Sequence, residues 1–469
     1  MLKSPLPALH ASDATIAVPS WDQALIQRYN IHGPRYTSYP TALALSPDFL
    51  PTEATSALAE SAEPLSLYIH IPFCHSLCYY CGCNKVITRH QHKADTYLDA
   101  LIAEMKLYSK LVAHRKIQAL HLGGGTPTFL SEAQFTRLFD ALSAYFDFKP
   151  VQCSEVSIEI DPRECSLAKL KHIRELGFNR VSYGVQDFDS DVQIAINRVQ
   201  DETLVRNLVN ASRELGFDSI NLDLVYGLPH QSHASFQDTL DRVLTLNPDR
   251  ISLFSYAHLP SRFPAQRKIK DSTLPNAQDK LTLLRAGIET FTQAGYQFIG
   301  MDHFARPDDE LAIAQREGRL QRNFQGYTTH GSDCLLGLGV SSISQVNGVI
   351  WQHEKDVGAY QKMISSQQLA ITKGISLSED DQIRAALIAQ LICHFSLDIP
   401  SFEQRWQIDF HGYFSDAIDA LQRFIDDKLV TVDATSIHVT AAGRLWVRSI
   451  CSCFDAYLSQ GQTRYSKVV

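Results

Sequence analysis

An α/β chain is predicted by this sequence, built on a parallel sheet curled into a full or partial (β/α) barrel, with an N-terminal arm and a small, mainly helical, winged-helix-like C-terminal domain. Three observations carry the prediction. First, a helix-to-strand phrase recurs: RELGFNRVSYGV from Arg174, RELGFDSINLDLV from Arg213 and a looser QAGYQFIGM from Gln293. In each, an apolar-periodic helix ends at a glycine (Gly177, Gly216, Gly295) just past its C-cap, and a β-rich segment follows. Second, strand and helix patterns alternate throughout residues 65–300, which argues for a parallel sheet. Third, several strands have one polar face: Ser157, Glu159 and Asp161 share one, Ser182, Gly184 and Gln186 another, Asn221 and Asp223 a third. Strands covered by helices on both sides read as almost continuously apolar. Polar inner faces therefore favour a barrel whose interior end lines a site over a doubly wound sheet.

In chain order, residues 1–50 have little periodicity, and the turn-rich GPRYTSYPT at 33–41 suggests an extended arm. Residues 51–375 form the expected barrel domain, with strands at SLYIH (66–70), QALHL (118–122), VSIEI (156–160), RVSYGV, NLDLV and RISLFS (250–255). Between them lie helical stripes such as Leu98, Leu101, Ile102 and Met105, or Leu281, Leu284, Ile288 and Phe291. Residues 376–469 form the C-terminal domain. It opens with a helix that Ser378 would cap and continues to a hairpin, LVTVD and SIHVT. Its few basic residues argue against DNA binding.

Composition narrows the function. With 469 residues and 52.6 kDa the chain exceeds what one hydrophobic core usually serves. A formal net charge of −8 and a pI near 6.1 disfavour a general nucleic-acid or anionic-membrane binder, so an acidic ligand must meet a local basic patch. The run SRFPAQRKIK offers one, with Arg262, Arg267, Lys268 and Lys270, and Arg35 of the arm is a further candidate. The first twenty residues do not read as a secretory signal, and no stretch approaches a membrane span. A cytoplasmic protein is expected, and in the absence of a heptad or a large apolar stripe, a monomer.

Four of the ten cysteines fall in CHSLCYYCGC, residues 74–83. Thiolates at this density suggest zinc or an iron-sulfur cluster. Structural zinc usually pairs two separated C-x-x-C knuckles, and there is no second knuckle in the sequence. Cys74, Cys78 and Cys81 instead give C-x3-C-x2-C on one loop directly after the YIHIPF strand. Three sulfurs on a four-iron cluster would leave one iron open to a small molecule. Further on, HLGGGTPT at 121–128 puts Gly123, Gly124 and Gly125 at a strand end, where bare backbone can approach a ligand closely.

This spacing resembles the radical S-adenosylmethionine superfamily. The resemblance narrows to the oxygen-independent coproporphyrinogen III oxidases through LYIHIPFCHSLCYYCGCNKVITRHQHKADTYLDAL, LHLGGGTPT, SIEIDPRE, GFNRVSYGVQDF, LDLVYGLP, FSYAHLP, GMDHFARPDDELA and NFQGYTT, with GPRYTSYPT before them and RLWVRSICSCFDAYL near the end. The resemblance implies a barrel of the radical S-adenosylmethionine type and a 4Fe-4S cluster on Cys74, Cys78 and Cys81. It implies two S-adenosylmethionine molecules: the first surrounded by Tyr68, Gly124, Glu159 and Ile343, the second by Tyr80, Gly125, Thr126, Gln186, Arg198, Asp223 and Ala257. Cys83, in the C-G-C of the oxidases, is implied as a catalytic thiol that does not ligate the cluster. The implied reaction is oxidative decarboxylation of two propionates of coproporphyrinogen III to vinyl groups, giving protoporphyrinogen IX for heme, by a 5′-deoxyadenosyl radical. It calls for an electron donor and an electron acceptor, neither identifiable from the sequence. Two other readings stay open. A heme-binding chaperone of the same superfamily would bind tetrapyrrole unchanged. A structural zinc protein would hold one ion through the three cysteines with Cys83 or His75.

Overall fold

The computed structural model describes residues 21, 23–30, 33–112, 115–330 and 334–458. The opening twenty residues, read above for a secretory signal, lie outside the described residues. Two compact units are present. One gathers residues 45–284 and 330–376; the other takes the segment up to 44, residues 285–329 and the segment from 377. Residues 285–329, which the sequence division assigns to the barrel domain, thus group with the two terminal segments.

The first unit is the barrel. Strand β1 (Leu65–Ile71) is followed in space as in sequence by β2 (Ile117–Gly124), β3 (Glu155–Ile160), β4 (Arg180–Gln186), β5 (Ser219–Tyr226) and β6 (Arg250–Ser255), each parallel to its neighbour. On the other side of β1, β7 (Cys334–Leu338) is also parallel, and β8 (Ile343–Val346), β9 (Val349–His353) and β10 (Ile371–Ser376) continue antiparallel. The strand order does not close on itself, so the barrel is partial. The glycines that end the recurring helices have the positive φ that their position requires: +99° at Gly177, +76° at Gly216 and +91° at Gly295.

Register gives the polar strand faces their use. Tyr68, His121 and Ser157 pair across β1 to β3, and Glu159, Ser182 and Asn221 across β3 to β5. The side chains then interlock. His121 Nδ1 is 2.7 Å from Ser157 Oγ, Ser182 Oγ donates to Asp223 Oδ2 at 2.9 Å, and Asn221 Nδ2 donates to Asp223 Oδ1 at 2.8 Å. Alternate residues such as Val156, Ile158, Val181 and Leu222 point the other way into the buried apolar layer.

In the second unit, Ser378 caps the helix Glu379–His394 by accepting from Asp381 N at 3.1 Å. Strands Val430–Val432 and Ser436–Val439 form the expected hairpin, and Ser396–Asp398 adds a third strand to it. The arm is tied to this unit: the Tyr29 ring stacks on Phe424 with centroids 4.5 Å apart, and the buried Arg448 guanidinium donates from Nε to Pro34 O at 2.8 Å. Arg35, considered above for a substrate carboxylate, is ion-paired with Asp302.

Candidate active site

The cysteine loop leaves the end of β1 and is held at both ends by backbone. Val86 N donates to Pro72 O at 2.7 Å and Thr88 N to Cys74 O at 3.0 Å, a short parallel ladder that pins the loop's exit to its entry. In its middle, Tyr79 N donates to Ile196 O at 2.9 Å and Asn197 Nδ2 to Leu77 O at 2.8 Å. The aromatic pair has a packing role here: Tyr79 and Tyr80 lie against a buried cluster that includes Val192, Ile196, Val225 and Tyr256. Gln266, itself buried, donates to Tyr80 O at 3.0 Å and to Ala257 O at 3.2 Å, stapling the loop to the segment after β6.

Between this loop and the ends of β2 to β6 lies a cavity of about 390 Å³, in the range that holds cofactors and small ligands. It is lined by Cys74, Cys78, Cys81 and Cys83, by Tyr80, Gly124, Gly125 and Thr126, and by Glu159, Gln186, Arg198, Asp223 and Ala257. Tyr68 and Ile343 are not among the lining residues. Tyr68 stacks on His121, centroids 6.0 Å apart, and pairs in register with Gly337, against which the Ile343 carbonyl packs. In the basic run 261–270 only Phe263 and Gln266 reach the lining; Lys268 lies over the Tyr79 ring, and Arg267 Nε donates to Pro260 O.

The glycine triplet is required by crowding. A Cβ on Gly124, where φ is +115°, would stand 2.6 Å from the His70 ring, and one on Gly125 would stand 2.8 Å from the Pro72 carbonyl. His70 shows why that ring cannot yield. It is buried, which holds it below the usual histidine range and neutral. Its Nε2 lies 2.9 Å from Asn84 O, which can only accept, so Nε2 carries the proton and Nδ1 accepts from Tyr68 Oη at 3.1 Å.

Each cluster-type sulfur has a donor. Thr126 Oγ1 donates to Cys74 Sγ at 3.3 Å, Cys83 N to Cys81 Sγ at 3.4 Å, and Arg198 Nη1 and Arg163 Nη2 to Cys78 Sγ at 3.5 and 3.6 Å. Burial pushes the Cys74 thiol up to about 12. Cys81 is drawn down to about 6, first by the hydrogen bond from the Cys83 thiol, against burial and with help from Lys85; Cys83 is correspondingly pushed up. Among the described residues no group of three or more His, Cys, Asp or Glu side chains is arranged to hold a single metal ion. A polynuclear cluster, with an iron for each thiol, does not need that convergence.

Asp161 and Arg163 stand in the SIEIDPRE motif without a role of their own there, and the structure brings both to the cysteine loop. Asp161 accepts from Arg198 Nη1 at 2.9 Å and from Arg163 Nη2 at 2.7 Å, and although burial acts to raise it, these two arginines hold it below the usual carboxylate range. Its place on the same face as Glu159 was the available signal. Asp223 differs: burial, then repulsion from Glu159, push it up to about 6. Glu159 accepts from Gly124 N at 3.2 Å and lies 3.4 Å from His121 Nε2.

Comparison with known proteins supplies what geometry leaves open. Residues 68–243 match the Radical SAM superfamily and residues 377–446 the HemN C-terminal domain. Oxygen-independent coproporphyrinogen III oxidases of Salmonella typhimurium and Escherichia coli K12 are each 54% identical over 452 residues, covering 96% of this chain and 98% of theirs. The chain belongs to that family of oxidases. The Pseudomonas aeruginosa oxidase is 49% identical over 454 residues, covering 96% of this chain and 99% of its own. The solved Escherichia coli coproporphyrinogen III oxidase, described as a radical SAM enzyme, superposes with a TM-score of 0.90 at 54% identity, over 94% of this chain and all of that one. The partial barrel is therefore the radical SAM fold, whose cofactors are a 4Fe-4S cluster and S-adenosylmethionine. The donor set fits such a cluster: Cys74, Cys78 and Cys81 are free thiols on one loop, each with a hydrogen-bond donor for its sulfur.

Proposed function

We propose that the chain decarboxylates two propionate side chains of coproporphyrinogen III to vinyl groups without oxygen, giving protoporphyrinogen IX, with Cys74, Cys78 and Cys81 holding the 4Fe-4S cluster. The observation that carries this reading is the one cavity shared by the three thiols, the bare backbone of Gly124 and Gly125, and the polar ends of β3 to β5. When bound, the cluster supplies one electron to cleave S-adenosylmethionine into methionine and a carbon radical able to take a hydrogen atom from a propionate β-carbon.

The residues of the chain bind and orient. Glu159 and the Gly124 backbone border the space beside the cluster thiols and suit the first S-adenosylmethionine, with Tyr68 and Ile343 behind them as support through His121 and Gly337. Arg198 suits a carboxylate of the second: its guanidinium is fixed by Asp161 and the Gly184 carbonyl, while Nε has no hydrogen-bond partner among the described residues. Asp223 is ionised at neutral pH and can take an ammonium or ribose hydroxyls; Tyr80 presents a ring for an adenine, and Gln186, Gly125, Thr126 and Ala257 complete that wall. Cys83 lines the same cavity with its thiol hydrogen-bonded to Cys81, and we assign it a part in catalysis that does not ligate the cluster. No helix among the described residues is long and apolar enough to cross a membrane. We expect a cytoplasmic monomer that takes electrons from a low-potential donor and passes the electrons left by decarboxylation to a separate acceptor.

The test is anaerobic reconstitution with iron and sulfide, then incubation with S-adenosylmethionine, reductant and coproporphyrinogen III. Protoporphyrinogen and 5′-deoxyadenosine should form together. Tetrapyrrole that binds but is recovered unchanged by a loaded cluster would replace the oxidase reading with a heme-chaperone one.

A further inference from the structure

The two arginines at Cys78 have no assigned part in holding the cluster, yet their geometry is specific. Asp161 accepts from Arg163 three times, from N at 3.1 Å, Nε at 3.0 Å and Nη2 at 2.7 Å, so the guanidinium lies in one plane with the carboxylate and cannot swing away. The same Nη2 that bonds Asp161 also reaches Cys78 Sγ at 3.6 Å. From the other side Arg198 does likewise, with Nη1 on Asp161 at 2.9 Å and on Cys78 Sγ at 3.5 Å, and with Nη2 on the Gly184 carbonyl at 2.6 Å. Two guanidiniums and one carboxylate thus carry a net charge of +1 against a single cysteine sulfur. Local sequence accounts for part of this: Asp161 also caps the short turn Pro162–Glu164, which sets the Arg163 side chain beside it. Arg198 arrives from the far end of the helix Ser190–Ala195, so the arrangement exists only in the folded barrel.

Resting on the reading of Cys78 as a cluster ligand, we propose that Arg163, with Arg198 and locked by Asp161, is a positioning residue that hydrogen-bonds the Cys78 sulfur and sets the reduction potential of the cluster. Reduction adds an electron to a cluster whose thiolate ligands already carry negative charge. N–H···S bonds and nearby positive charge stabilise the reduced form more than the oxidised one and raise the potential. Asp161 opposes this in part, so the two residues act with opposite signs on one quantity. A merely structural role for the triad would not produce opposite signs.

The experiment is an EPR-monitored redox titration of the reconstituted cluster without S-adenosylmethionine, alongside iron and sulfide content, in the unsubstituted protein, Arg163→Gln and Asp161→Asn. Arg163→Gln should lower the midpoint potential and Asp161→Asn should raise it, at unchanged iron per chain. Arg163→Lys, which keeps the charge but not the planar fork, should fall between Arg163→Gln and the unsubstituted protein. If Arg163→Gln fails to hold a cluster, Asp161→Asn decides alone. An unmoved potential, or shifts of the same sign in both variants, overturns the proposal. An unsubstituted protein that holds no EPR-active 4Fe-4S cluster would instead defeat the functional reading on which it rests.

Discussion

Two buried polar clusters in the barrel unit use the same residue types for different ends. Behind β7 and β9, Glu104 and His353 are both fully buried and 3.1 Å apart. Gly339 N and Tyr360 Oη donate to Glu104 Oε2 at 2.7 and 2.9 Å, and Tyr108 Oη lies 2.8 Å from His353 Nε2. None of these residues lines the cysteine cavity. At the ends of β3 to β5, Glu159, Asp161, Arg198 and Asp223 are also hydrogen-bonded, but they line open space. The difference teaches how to separate structural from functional polarity. A polar cluster that meets only other protein groups and lines no ligand-sized cavity holds the fold together, whereas one that faces a cavity can meet a ligand.

The largest effects should fall on the open side. Replacing Cys74, Cys78 or Cys81 by alanine should abolish 5′-deoxyadenosine formation and lower the iron content, with thermal stability of the metal-free chain little changed; retained iron and activity in any of the three would remove that residue from the ligand set. At the Glu104 cluster, Glu104→Ala should cost about 3–5 kcal/mol in a denaturant titration, because His353 and two donors lose their buried partner. Activity per folded, cluster-loaded molecule should persist, and the comparison fails if activity falls while stability does not.

Smaller changes sharpen the contrast. Gly124→Ala forces a side chain into the His70 ring at a positive φ, and should destabilise by about 1–3 kcal/mol while weakening S-adenosylmethionine binding, read by calorimetry on the reconstituted protein. Asp223 provides a pH signature. Its folded value of about 6 lies above the ordinary 3.8, so the folded state holds the proton more tightly than the unfolded one. The resulting stability is present below the ordinary value and is lost as pH rises through about 6. Above that, Asp223→Asn should be more stable than the unsubstituted protein by on the order of 3 kcal/mol, a gap that closes on acidification. Binding of a cationic ligand should change in the opposite sense, strengthening in the unsubstituted protein as Asp223 ionises and becoming flat in pH in the variant.

Features written in local spacing can be read along the chain. The period-2 polar faces of β3, β4 and β5, the glycines that stop the recurring helices, the Ser378 cap and the C-x3-C-x2-C loop each depend on neighbours within a turn or a strand, so their pattern is legible along the chain. Only the tertiary structure decided which of those residues meet. Arg198 and Arg163 come together on Cys78 through Asp161 because parallel register aligns strand ends whose residues are far apart in sequence. Tyr68 and Ile343 do not line the cavity, and in the loop 261–270 Phe263 and Gln266 line it while the charged residues do not. Charge and residue type say what a side chain can bind, but the direction in which it points is set by sheet register and packing, and neither can be read from one segment alone.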